Sequence, residues 1–410
     1  MRLIGNKTKL LPDIEAFLAR RGVSGGTFLD VFAGTASVAR HFRRRGFRVR
    51  TNDLLASSYA VQRAFVARAA LPALGRLRAT RPVRAFLASA AGKAALEETP
   101  GAGPLREVVA FLNHGLEPVQ GLFARQYAEG GAAGRMFFSR ENGARIDAVH
   151  ARLLRWWRQG VIDEDDLYFL LALLLEATDR VANISGTYGA FLKHLQGSAR
   201  EPLRLRVPGD DALAGPAGRA YRGDANRLVR RLRVDVLYID PPYNQRQYAK
   251  NYHVLEVLAE LHQVEDLAAY EAGIYGVSGL RGMEDRLSDY CRKVGRRRSD
   301  PSPCLEAFQD LVAGAKAEHI VVSYSEEGIL SREEIGAALA RACGWSRYDF
   351  DRHQEEIAYK RFRSDADAAG RREYKVVEGK DKDVVGEWLF YARKPLSRLE
   401  GRRTSRVVAV

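Results

Sequence analysis

The chain has 410 residues, a length that implies two or three folded units, and with 46% of them hydrophobic and 28% charged a packed globular protein is expected, not a disordered one. A surplus of 65 Lys+Arg over 51 Asp+Glu gives a net charge of +14, which suits a polyanionic partner because each neutralised phosphate releases condensed counterions. Three widely spaced cysteines (Cys291, Cys304, Cys343) and eight scattered histidines form no disulfide framework or metal-ligand spacing, so no metal is expected.

Met1 to Lys7 lacks the apolar core of a signal peptide. Thr27 to Phe32 is a short β-branched and aromatic run, which predicts a strand followed by a tight turn at Ala33-Gly34-Thr35. From Thr35, Val38, Ala39 and Phe42 fall at helical spacing, Arg43 to Arg45 form a basic last turn, and Gly46 fits the C-cap. A second strand, Phe47 to Thr51, ends at Asn52-Asp53. Strand, turn, helix, strand and carboxylate begin a βαβ nucleotide-binding unit.

From Ala56 to about Arg219 the composition shifts to Ala, Arg, Gly and Leu at helical spacing. Ile146, Val149, Leu153, Leu154 and Trp157 mark one amphipathic helix, and Asp163 to Asp166 supply an acidic first turn for a very apolar helix through Leu175. The apolar run Leu167 to Leu175 is far shorter than the ~20 residues that span a bilayer, so a soluble, cytoplasmic protein is expected, with no membrane partner. Asn183 to Gly189 reads as an exposed, glycine-punctuated loop. Strands resume at Val234 to Ile239, Ile320 to Tyr324 and Trp388 to Ala392; Arg292 to Pro303 reads as a basic mobile loop, and the tail after Lys394 as frayed.

Asp240-Pro241-Pro242-Tyr243 follows the buried-looking strand at Val234, which puts it at the carboxyl edge of the sheet, where open α/β folds bind ligands. Two prolines stiffen the backbone and remove two N–H donors, leaving nearby carbonyls as acceptors. A carboxylate and a fixed carbonyl can accept both hydrogens of an exocyclic amino group. Its lone pair, otherwise delocalised into the ring, then turns toward an electrophile. Tyr243 offers a flat face for an extruded base.

On these residues the chain resembles the amino-methyltransferases that use S-adenosylmethionine, specifically the D12-class adenine-specific DNA methyltransferases of the Dam-like α group. Gly5-Asn6-Lys7, Asp30-Val31-Phe32-Ala33-Gly34, Asn52-Asp53, Gly223-Asp224, Asp240 to Tyr243 and Ser323-Tyr324 appear in that family's order. The sequence departs from the family pattern at Ala36, where a further glycine is usual, and at Leu3, where an aromatic is common. The resemblance implies a cofactor site of Lys7, Asp30, Phe32, Gly34, Asp53, Asp224 and Asp240. In it Lys7 holds the methionine carboxylate, Asp53 the ribose hydroxyls and Asp224 the adenine. It also makes Asp240, Pro241, Pro242 and Tyr243 catalytic.

The resulting expectation is an α/β, Rossmann-like methyltransferase domain from residues 1–55 and 220–395, a largely helical target-recognition insertion at 56–219, and a basic tail at 396–410. Double-stranded DNA is the expected substrate, with a base flipped for methylation, and a cognate restriction nuclease is compatible with the resemblance. Interleaved basic and aromatic residues nominate Arg246, Tyr248 and Lys250, with Tyr188 and Lys193 in the insertion, as DNA contacts, and Arg296 to Arg298 as a further basic run. Alternatives are methylation of DNA cytosine, RNA adenine or protein glutamine, and a catalytically inactive DNA-binding homologue.

Overall fold

The computed structural model describes residues 7–294, 302–360 and 384–395. Gly5-Asn6, Arg296 to Arg298 and the 396–410 tail lie outside the described residues. Seven strands, β1 (Thr27–Asp30), β2 (Arg48–Asp53), β3 (Arg219–Arg222), β4 (Arg233–Ile239), β5 (Lys316–Ser325), β6 (Gln354–Lys360) and β7 (Val384–Arg393), form one sheet in the order β3-β2-β1-β4-β5-β7-β6. The first five run parallel, and β7 is inserted antiparallel between β5 and β6. This is an α/β, Rossmann-like arrangement. Expected strands appear at β1, β2, β4, β5 and β7. The remaining two, β3 (RAYR) and β6 (QEEIAYK), are polar edge strands without the apolar signature of a buried one.

The principal helices are α1 (Leu11–Ala19), α2 (Ser37–Arg44), α3 (Ala56–Gln62), α4 (Gly103–His114), α5 (Arg140–Arg158), α6 (Glu164–Arg180), α7 (Ala225–Arg231), α8 (His253–Glu260), α9 (Pro303–Gly314) and α10 (Arg332–Cys343). Period-2 alternation sends Phe28, Val236 and Tyr238 to one face of the sheet, where they meet Phe17 of α1 and Phe42 of α2. Leu29, Leu237 and Ile239 go to the other face, against Val229 of α7, Phe308 of α9 and Ile335 of α10.

The chain from α3 to β3 is largely helical and builds its own core. Phe111 of α4, Trp156 of α5 and Phe169 of α6 belong to one buried cluster. In α5 the register buries Trp156, while Leu154 and Trp157 are only half-buried. Asp163 caps α6 by accepting the Asp166 N–H at 2.8 Å, and the acidic first turn pairs with Arg63 and Arg68. Arg43, from the basic last turn of α2, is buried and donates to the carbonyls of Phe65, Arg68 and Gly215, joining the beginning and end of the helical segment to the sheet.

A second joint matters more to the site. Helix α8 comes after the Asp240–Tyr243 turn, yet its Val254, Leu255, Val257 and Leu258 enter the core of the helical segment. Its Glu256, fully buried, accepts the N–H groups of Ala56 (2.9 Å) and Ser57 (2.8 Å) and the Ser57 hydroxyl (2.6 Å), and pairs with Arg286 at 3.4 Å. The first turn of α3 is thereby capped from a distant part of the chain. Glu256→Ala leaves those donors unpaired inside the core and should cost about 3 kcal/mol, read as a lower urea midpoint in chemical denaturation.

Candidate active site

Sheet order reverses between β1 and β4: the chain leaves β1 toward β2 and β3, then returns to β1's other side as β4. Asp30 pairs in register with Tyr238, so both strands end at the same level and open a crevice of about 480 Å³ at their carboxyl edge. Lys7, Asp30, Phe32, Gly34, Asp53, Asp224, Asp240, Pro241, Pro242, Tyr243 and Tyr248 line it, so residues spread from the N-terminal segment to the middle of the chain meet here.

The loop after β1 is held by side chains of β2. Asn52, buried, donates to the carbonyls of Val31 (3.1 Å) and Gly223 (3.0 Å). Asp53 accepts the Gly34 N–H through Oδ2 (2.8 Å) and the Leu55 N–H through Oδ1 (2.9 Å). Each carboxylate oxygen has a second lone pair still able to accept. Gly34 adopts φ +50°, which its missing Cβ allows. Ala36, standing where the family pattern has glycine, also adopts a left-handed φ of +59°, a conformation that costs an alanine about 1 kcal/mol. Ala36 has no side chain to cap the N-terminus of α2 behind it; Asp30 takes the Ala39 amide, and Ser37 and Val38, the first two residues of the helix, line the crevice.

Asp30 is buried, and its Oδ1 has no hydrogen-bond partner among the described residues. Burial, then the charges of Asp240 and Asp53, hold its carboxyl well above the usual range, while the amides of Ala39 and Phe32 pull it back. Burial also raises Asp53, opposed by the amides it accepts from. At the mouth of the crevice Asp224 is exposed and caps α7 by accepting the Arg227 N–H at 2.8 Å. Phe32 lies edge-on to Tyr290, ring centroids 4.9 Å apart.

Below the tetrapeptide lies a buried ion cluster. The Lys7 ammonium sits 3.2 Å from Asp240 Oδ1 and 2.7 Å from Oε1 of Glu387 on β7, and 5.6 Å from the centre of the Tyr243 ring. Ser323 on β5 donates its hydroxyl to the same Glu387 oxygen. Burial drives the Asp240 carboxyl upward, to about 7, opposed by Lys7 and reinforced by Glu387. Despite burial, Asp240 and Glu387 raise Lys7 well above its ordinary value, so the ammonium stays charged. Tyr243 packs edge-on against Tyr324 with centroids 6.4 Å apart, and burial pushes its phenol up, keeping it neutral. Glu387 is the site residue that sequence reading missed. Its signal was a single carboxylate inside the otherwise apolar run Val384 to Tyr391, where an unpaired charge would cost several kcal/mol.

Of the nominated DNA contacts, Lys193, Arg246 and Lys250 are exposed, and Tyr248 reaches the crevice. Tyr188 requires a correction: it is fully buried, not in an exposed loop. Its ring packs on Phe137, its N–H donates to the Asn251 carbonyl at 2.7 Å, and its hydroxyl reaches Asp179 at 3.3 Å. The glycines around it suggested exposure, but the ring found the core. Tyr188→Ala should therefore lower the thermal midpoint by an amount equivalent to about 3–5 kcal/mol, without a selective loss of DNA affinity in filter binding.

A family profile described as D12 class N6 adenine-specific DNA methyltransferase matches residues 3–336. The type II methyltransferase M.FokI of Planomicrobium okeanokoites is 32% identical over 416 residues, spanning 100% of this chain and 55% of the relative. The type II methyltransferase M.NlaIII of Neisseria lactamica is 34% identical over 368 residues, covering 89% of this chain and 93% of the relative. The modification methylase StsI of Streptococcus sanguinis is 30% identical over 402 residues, 97% of this chain and 52% of the relative. The chain thus spans about half the length of M.FokI and StsI and nearly all of M.NlaIII. No solved structure matches. With the sheet order, the tetrapeptide at the β1/β4 crevice and these matches in agreement, the chain belongs to the D12 class N6 adenine-specific DNA methyltransferases.

Proposed function

We propose that this chain methylates the exocyclic amino nitrogen of adenine at specific sites in duplex DNA, with S-adenosylmethionine as the methyl donor and the target base flipped into the crevice. The observation that carries the reading is Asp240-Pro241-Pro242-Tyr243 standing directly after β4 at the topological switch point, beside the carboxylates of Asp30 and Asp53. The residues present fit the cofactor. An unpartnered buried oxygen on Asp30 offers an acceptor, and Asp53 offers the remaining lone pairs of two oxygens to a ribose diol. Gly34 and the first residues of α2, Ser37 and Val38, suit a carboxylate, and the surplus of buried carboxylates over Lys7 favours a cation. Phe32 would pack on the cofactor, Asp224 would bind its adenine, and Lys7 retains a third hydrogen to donate. S-adenosylmethionine, when bound, supplies an electrophilic methyl group on a sulfonium centre.

The chain's own part is positioning. Asp240 and the rigid carbonyls of the proline turn accept the amino hydrogens, turning the nitrogen lone pair toward the methyl group, and Tyr243 stacks on the extruded base. After transfer the surplus proton leaves to Asp240 or water. The helical segment from α3 to β3 serves as the target-recognition part in this reading, with Lys193, Arg246 and Lys250 on the phosphates and Tyr248 beside the base. A cognate restriction nuclease fits relatives named type II methyltransferases and modification methylases. No helix among the described residues is long and apolar enough to cross a membrane, and the reading places the enzyme with DNA in the cytoplasm.

The direct test is incubation of DNA with labelled S-adenosylmethionine, followed by mapping of modified adenines; label absent from adenine would overturn the reading. Asp240→Ala should abolish methyl transfer while DNA affinity persists, since affinity comes mostly from phosphate contacts. A rate within about tenfold of wild type, ~1.4 kcal/mol of barrier, would remove Asp240 from its role. Asp53→Ala should weaken cofactor binding by about 1–3 kcal/mol in calorimetry and alter the saturated rate much less. An unchanged dissociation constant would confine Asp53 to holding the Gly34 loop.

A further inference from the structure

Glu387 stands behind the crevice and does not line it. It reaches Lys7 because β7 runs antiparallel to β5: the start of β7 lies where the parallel strands end, and Glu387 pairs in register with Ser325, the last residue of β5. Its side chain is completely buried, flanked along the strand by Val385, Leu389 and Phe390, all buried. An apolar residue would satisfy the sheet at lower desolvation cost. What the carboxylate does instead is bind the Lys7 ammonium at 2.7 Å, closer than Asp240 at 3.2 Å, while the Ser323 hydroxyl steadies the shared oxygen. One cation is thus divided between two carboxylates, and the shorter contact belongs to the one that cannot touch substrate.

We propose that Glu387 is a positioning residue that draws the Lys7 ammonium away from Asp240, keeping the Asp240 carboxylate free to accept the amino hydrogens of the target adenine. The inference rests on the methyltransferase reading of the crevice. Without the Glu387 charge, Lys7 would pair with Asp240 alone, tie up its acceptor capacity and make it a weaker base. Several groups act on Asp240 from the elements around it. Lys7 from the N-terminal segment holds it down, and Glu387 from β7 raises it. Asp30 of β1, Tyr238 of β4, and Tyr243 and Tyr248 of the following loop complete the surroundings. The Asp240 carboxyl is raised, so its reactive carboxylate form is lost as pH falls through about 7, and the methylation rate should show an acidic limb there. Removing the Glu387 charge takes away a repulsion and strengthens the Lys7 contact. Both effects move that limb to lower pH.

The test is single-turnover methylation of a mapped DNA target across pH by wild type, Glu387→Gln and Glu387→Asp, with thermal melts confirming folding. Glu387→Gln keeps the shape and the acceptor oxygen but loses the charge. Its limb should move down by about one pH unit or more, and its plateau rate should fall about tenfold. Cofactor and DNA dissociation constants should stay within about threefold. Glu387→Asp, with the charge kept, should hold the limb at the wild-type pH. If the glutamine variant does not fold, the aspartate variant decides, because a limb displaced despite the retained charge overturns the proposal. A glutamine variant with the limb and plateau of wild type also overturns it, as does one whose loss lies wholly in cofactor or DNA affinity. Failure of wild type to methylate DNA would instead bring down the reading beneath the proposal.

Discussion

The structure depends on the lateral pairing of β1 with β4, two strands separated by the whole helical segment. Parallel strands cannot be joined by a tight turn, and the connection used here is a β-α-β excursion to β2, the helical unit and β3 before the return. Because the sheet is filled outward from β1 in both directions, nothing covers the carboxyl ends of β1 and β4 from within the sheet. The aspartates of the crevice follow from that geometry. Asp30 ends β1, Asp53 ends β2, Gly223-Asp224 follows β3 and Asp240 follows β4, so four separate carboxylates arrive at one edge.

Crowding carboxylates is costly, and each is supported differently. Asp53 is solvated by two backbone amides, which also fix the loop carrying Gly34. Asp224 remains at the exposed mouth as a helix cap. Asp240 shares the Lys7 ammonium with Glu387. Asp30 keeps an oxygen without a partner among the described residues, a standing cost of the kind expected where a polar ligand completes the site. The left-handed Ala36 adds backbone strain at the same loop, and its neighbours are packed tightly enough to hold it.

The helical segment is bound to this arrangement at two places rather than hung from it. Arg43 gathers carbonyls from the beginning and end of the segment, and Glu256 caps α3 from the helix that follows the Asp240–Tyr243 turn. Since Asp53 leads into α3 and Tyr243 leads toward α8, a shift of the helical segment would be felt on both sides of the crevice. Charge is spent inside as well as outside: Arg43 and Lys7 are buried, so the +14 of the chain is not all available to phosphates.

Local chemistry was readable wherever it is local. Short β-branched and aromatic runs announced β1, β2, β4, β5 and β7, glycine and basic residues bounded α2, and the Asp-Pro-Pro-Tyr turn declared its position at a strand end. Family resemblance added which carboxylates belong together. Strands β3 and β6 stayed hidden because edge strands bury too little to need an apolar pattern, and Tyr188 misled because glycines signal a turn without saying which way a side chain faces. Glu387 could be recognised as anomalous in an apolar run but not as a partner of Lys7, since 380 positions separate them. What the sequence determined alone was five of the strands, the better-marked helices and the chemistry at their ends. Which charge neutralises which was decided only by the tertiary structure. Coulombic pairing depends on distance in space, and here that distance follows from an antiparallel strand inserted into a parallel sheet.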